Sequence, residues 1–247
     1  FNGNGGSTPS TITQNYGTTV TAPANPTRTG YTFTGWSPAV PGTMPANNTT
    51  CVAQWTINQY TITFNSNGGS AVDDITQNYG TAVTAPANPT RTGYTFTGWS
   101  PAVPSTMPAN NTTCVAQWTA NTYTVAYDGN GNTGGSTASS SHTYDVAKAL
   151  TTNGFTKTGY TFAGWATSAG GAVAYSNGQS VTNLSSTQGA TVTLYAKWTI
   201  NQYTITFNSN GGSSVSPITQ NYGTTVTAPA NPTRTGYTFN GWSPAVP

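Results

Sequence analysis

Apolar residues in this chain come in short alternating runs. Tyr60-Thr-Ile62-Thr-Phe64 places a large side chain at every second position, the period of a strand with one covered face. Tyr94-Thr-Phe96-Thr-Gly-Trp99 and Cys114-Val-Ala116-Gln-Trp118 read the same way, and a further strand is expected between Ile75 and Val83. Asn67-Gly68-Gly69 marks a turn after the first run. Asn88-Pro89-Thr-Arg91-Thr-Gly93 carries a cap residue, a Pro at the first helical position and a Gly past the end, which predicts one helical turn and little more. The unit is therefore about four short strands with at most one short helix, and its expected core is Tyr60, Ile62, Phe64, Val83, Tyr94, Phe96, Trp99, Cys114, Ala116 and Trp118.

This pattern repeats. Residues 12–41 recur at 75–104 with Ala82 in the place of Thr19, and at 218–247 with Asn240 in the place of Thr34. A diverged copy runs through His142-Thr143-Tyr144 and Gly154–Trp165, with a longer insertion at 172–193. Phe1, Phe64, Tyr127 and Phe207 mark equivalent positions, spaced by 63, 63 and 80 residues. A fixed period of this kind signals a tandem array. We divide it into repeat one (1–56, lacking its opening residues), repeat two (57–119), repeat three (120–199, the longer variant) and repeat four (200–247, lacking its last strand). Both ends cut through a repeat, so the array is expected to run on. Five residues separate Trp55, Trp118 and Trp198 from Tyr60, Tyr123 and Tyr203, a constant short connector that predicts a fixed orientation between neighbours.

Composition narrows the functions. Only 4% of residues are charged and the net charge is +2, too sparse for phosphate neutralisation, so nucleic-acid binding is not expected. No apolar run approaches the roughly 20 residues that span a bilayer. Six Lys or Arg leave few tryptic sites, which suits a chain exposed outside the cell.

The combined signature, YTITFNSNGGS followed by ITQNYGT, PTRTGYTFTGW and CVAQWT, resembles the Listeria–Bacteroides repeat, also called the internalin B-repeat. The resemblance covers essentially the whole chain. It implies a mainly β protein of tandem small β-grasp-like modules with a short helix. It also implies secreted or cell-surface bacterial proteins, often adhesins. Repeats one, two and four depart from the family's longer form, with only a short Pro-rich segment after the Gly-Trp pair.

Candidate chemistry is thin. His142 could pair with Asp145, but Gln14, Gln77 and Gln220 hold its slot in the other repeats, so a shared general base is not expected. Asp128-Gly-Asn130-Gly-Asn132 alternates oxygen ligands but lacks the sixth-position Gly and twelfth-position acid of a calcium loop, and reads as a hairpin turn. Cys51 and Cys114 replace Leu194, as small buried hydrophobes with free thiols. The Trp residues read as core before sugar platform. Arg28, Arg91, Lys157 and Arg234 supply one cation per repeat, for a helix end or an aromatic ring. Asn47, Asn48, Asn110, Asn111 and Asn183 match glycosylation sequons.

No catalytic, metal or cofactor set recurs, and an enzyme is not expected. The expected function is an extended extracellular stalk or fibre, its partners neighbouring repeats or copies of the same chain. The alternative is an adhesin that contacts glycans or a receptor multivalently.

Overall fold

The computed structural model describes residues 1–247 and divides into two compact units, Phe1–Thr119 and Ala120–Pro247. Both are built of strands and turns, without a helix. The first unit holds β1 (Tyr31–Ser37), β2 (Val52–Ile57), β3 (Gln59–Asn65), β4 (Ile75–Asn78), β5 (Tyr94–Ser100) and β6 (Thr112–Ala120), the last ending one residue past the division. The second holds β7 (Thr122–Asp128), β8 (Gly134–Gly135), β9 (Ser140–Thr143), β10 (Lys148–Ala149), β11 (Phe155–Thr156), β12 (Tyr160–Ala166), β13 (Ser180–Val181), β14 (Thr191–Ile200), β15 (Gln202–Ile205) and β16 (Ile218–Asn221).

Repeat two forms a sheet of order β4-β3-β6-β5, and repeat three one of order β12-β14-β7-β9. In both, the first and last strands of the repeat lie parallel at the centre: Phe64 pairs with Cys114, and Tyr127 with Leu194. Their alternation puts Ile62, Phe64, Cys114 and Ala116 on one covered face, all buried. Of the remaining expected core residues, Tyr60, Val83, Tyr94, Phe96, Trp99 and Trp118 are half-buried, because a single small sheet covers one face with little else. Met107, at 1% exposure, is a core residue that strand periodicity did not reveal. It lies in the Pro-rich loop, anchored by backbone bonds from Met107 N to Thr81 O (2.9 Å) and from Gly80 N to Met107 O (2.9 Å).

Strict alternation cannot put Tyr31, Phe33 and Trp36 on one face. The strand solves this with a bulge: the β1–β2 register shifts between Phe33 and Gly35, and β12–β14 shifts between Phe162 and Gly164. Thr34 and Ala163, just before each Gly, are the residues the register skips, and Trp36 turns back onto Phe33, centroids 5.3 Å apart.

Two expectations are corrected. Asn88–Gly93 does not form a helical turn. A lone turn is costly to nucleate, and here Arg91 bridges to Tyr94 while Tyr94 N bonds Arg91 O at 3.1 Å. The strand expected from Ile75 to Val83 stops at Asn78, where a turn intervenes before the isolated bridge of Ala82 to Thr106.

Candidate functional site

Three polar and aromatic constellations recur through the repeats. The first is an edge-to-face ring ladder. Phe64–Trp99, Phe96–Trp99 and Phe96–Trp118 have centroids 4.9, 5.4 and 5.5 Å apart. Phe162–Trp165 and Phe162–Trp198 repeat it at 4.9 and 5.7 Å, with Tyr127 tilted at 51° on Trp165, 4.7 Å away. Each such pair is worth roughly 0.5–1.5 kcal/mol beyond its burial. The outer Trp also closes the first turn, as Trp55, Trp118 and Trp198 donate Nε1–H to the carbonyls of Gly3, Ser66 and Gly129 at 3.0, 3.0 and 2.9 Å.

The second is a turn clamp. Asn67 sits in the left-handed region at φ 49°, a conformation Asn tolerates better than most residues. Its backbone N donates to Asn65 Oδ1 (2.9 Å), and its side-chain amide donates to Ala116 O (3.3 Å). Arg91 lies across the turn, donating Nη1–H to Asn67 O at 3.2 Å with its guanidinium carbon 3.8 Å from the Tyr94 ring centroid. Arg28 does the same with Asn4 and Tyr31, and Arg234 with Asn210 and Tyr237. Lys157 stacks more loosely on Tyr160, 4.8 Å from its centroid. Of the two roles read for these cations, the structure places them on rings and turn carbonyls.

The third joins consecutive repeats within each unit. Between repeats one and two, Asn58 N donates to Gly30 O (2.9 Å), Tyr79 N donates to Asn58 O (2.8 Å), and Thr32 Oγ1–H donates to Asn58 Oδ1 (2.6 Å). The Tyr79 ring lies against Gly30 and packs at 79° on Tyr31, centroids 6.2 Å apart. A Cβ on Gly30, whose φ is +77°, would collide with that ring. Repeats three and four reproduce the joint through Asn201, Gly159 and Tyr222, with backbone bonds of 2.9 and 2.8 Å. At these joints Tyr79 is half-buried and Tyr222 keeps 43% exposure.

The residues singled out from sequence fall as follows. His142 is 1% exposed, stacked on Tyr123, with Nε2 bonded to Ser140 Oγ at 2.9 Å. Burial, with a smaller contribution from the Lys148 charge, lowers its pKa below the ordinary imidazole value. Asp145 is held instead by Asn183, whose amide donates to its carboxylate at 2.8 Å. Asp128 accepts the backbone N–H of Asn130, and Asn132 bonds Gly134 O, as turn residues do. Cys51 and Cys114 are buried free thiols, and burial raises the Cys114 pKa. Asn47 and Asn48 are exposed. The Asn110 side-chain amide is spent on Asn111 O and Thr112, and Asn111 Oδ1 caps the Thr61 N–H. Met107 and the tyrosine–glycine joint are the features the sequence reading missed.

The profile of the Listeria-Bacteroides repeat domain matches residues 1–56, 60–117, 123–197 and 203–245. The chain belongs to this repeat family. It is 31% identical over 98% of its length to a protein named as a Gly-rich membrane protein from Evansella cellulosilytica, covering 29% of that relative. A second Evansella cellulosilytica protein, named as a membrane protein, is 33% identical over 78% of the chain and is likewise covered to 29%. Internalin H of Listeria monocytogenes is 41% identical over 40% of the chain, which spans 21% of that protein. The chain thus spans less than a third of the relatives it matches.

Proposed function

We propose that this chain is a non-catalytic spacer: a run of stacked modules in a bacterial surface protein that extends as a stalk or fibre. The observation carrying this reading is the Tyr–Gly joint, built from the same residues at both places where it is seen. A flexible string of domains needs no collision-limited contact between neighbours. The polar groups that recur, Asn67, Arg91 and Asn58 among them, are spent on turns, rings and the joint, which leaves no repeated set for catalysis. Repeats two and three fit a β-grasp-like class, their main strands in the order second, first, fourth, third with a parallel central pair, and an extended crossover in place of the short helix. The membrane and internalin names of the relatives support display at the cell surface. Glycan adhesion is the weaker reading, because the Trp rings that would form a platform pack edge-to-face inside the repeats. Hydrogen exchange on the 247-residue chain tests the proposal. The amides at positions 79 and 222, which bond Asn58 O and Asn201 O, are expected to be protected, and to lose that protection in a Tyr79→Ala/Tyr222→Ala variant; unprotected amides in the unaltered chain would overturn it.

A further inference from the structure

Repeat three differs from its neighbours at one buried polar position. In the register of the sheets, Tyr60 faces Gln77, Tyr203 faces Gln220, and Tyr123 faces His142. An amide in this slot does not titrate; an imidazole does. His142 lies on β9, an edge strand held to the rest of the sheet only by its pairing with β7. Its Nε2 meets Ser140 Oγ at 2.9 Å, and Ser140 Oγ in turn lies 3.4 Å from Tyr127 OH, which accepts the Thr151 N–H at 2.7 Å. Its Nδ1 is buried and bonded to nothing. A donor at Nδ1 would find no acceptor, so the neutral ring carries its proton on Nε2, facing Ser140 Oγ, and a second proton would arrive at the buried Nδ1, where an unpaired donor carries a large desolvation cost.

The titratable and charged groups around the ring oppose protonation or leave it unaided. Tyr123 stacks on it from β7, and Tyr127 reaches it through Ser140. Lys148, from β10, adds a positive charge whose ammonium bonds Ser141 O at 2.8 Å. Asp145, the nearest carboxylate along the chain, is engaged by Asn183.

We infer that His142 makes β9 an acid-sensitive catch: protonation releases this edge strand from β7, so repeat three loosens in mild acid while its Gln-bearing neighbours hold. The sign follows from linkage. A base whose folded pKa is lowered lets the unfolded or opened state bind the proton first. Stability is therefore full above about 6.5, the free imidazole value, and is lost as pH falls from there toward the folded pKa.

Hydrogen exchange on the whole chain, corrected for intrinsic rates, reads this directly. Opening of β9 (140–143) should grow by up to about tenfold per pH unit below about 6.5, while β4 (75–78) stays flat. His142→Gln, which installs the residue of the other repeats, should abolish the response. His142 is the sole histidine, so NMR titration of its ring in the unaltered chain gives a second readout that needs no variant. A ring that titrates in the folded chain at or above the free value, a β9 response matching β4, or an acid response surviving in the glutamine variant overturns the inference.

Discussion

Replacing Gly30 with Ala should open the joint between repeats one and two without unfolding either. Two costs are separable. The backbone at φ +77° asks an L-residue to enter the left-handed region, at about 1–2 kcal/mol. The new methyl also strikes the Tyr79 ring, which must swing off Tyr31 and forfeit an edge-to-face pair worth roughly 0.5–1.5 kcal/mol together with part of its cover. The sum is about 2–3 kcal/mol, or roughly 30- to 150-fold in the opening equilibrium. Native-state hydrogen exchange at the Asn58 and Tyr79 amides reports it, since these donate to Gly30 O and Asn58 O. The buried amides of Ile62 and Cys114, in the core of repeat two, should not respond. In a Tyr79→Ala background the ring is gone and only the backbone cost remains, about 1–2 kcal/mol or some five- to thirtyfold. The double-mutant cycle should therefore be non-additive, with a coupling of about 1 kcal/mol. Equal effects of Gly30→Ala in both backgrounds would refute the ring contact as the reason for glycine at this position.

Other substitutions test the packing within a repeat. Asn67→Asp swaps an amide donor for a carboxylate facing Ala116 O and should cost about 1–3 kcal/mol at neutral pH, seen as a lowered urea midpoint. Trp118→Phe keeps most of the ring ladder but removes one of the two donors to Ser66 O, which retains the Gly69 N–H, at about 0.5–1.5 kcal/mol by the same assay. Ile62→Ala, at a fully buried position, should cost about 2–5 kcal/mol and expose Cys114 to thiol reagents. Little change with Trp118→Phe would mean that the indole N–H bond does not hold the first turn.

Local features were legible in the sequence where the chemistry is local. Alternation gave β3, β5 and β6 and one covered face, and the Asn-Gly turns declared themselves. The parallel pairing of β3 with β6 leaves no trace in periodicity, because the two strands are joined by a long crossover and share only their apolar faces. The helical turn at Asn88–Gly93 failed because Pro and Gly punctuate an extended turn as readily as a helical one, and Arg91 gains more from the Tyr94 ring and Asn67 O than from a helix end. Met107 was missed because a loop residue has no period. His142 was noticed as an odd residue in a glutamine slot, but its burial and unpaired nitrogen depend on the fold around it. The joint was hidden for a similar reason: Gly30 and Tyr79 lie in different repeats, and a glycine's need for space shows only when the ring that fills it is in place.

The account rests most heavily on consecutive repeats being locked by this joint. Spin labels on Thr34→Cys and Thr76→Cys, both exposed strand positions on either side of it, measure that directly in the whole chain, with the native thiols of Cys51 and Cys114 buried and unlabelled. Pulsed dipolar spectroscopy should give one narrow distance distribution, and Gly30→Ala should broaden it. A broad distribution in the otherwise unaltered chain, or a narrow one that survives Gly30→Ala, would contradict the claim.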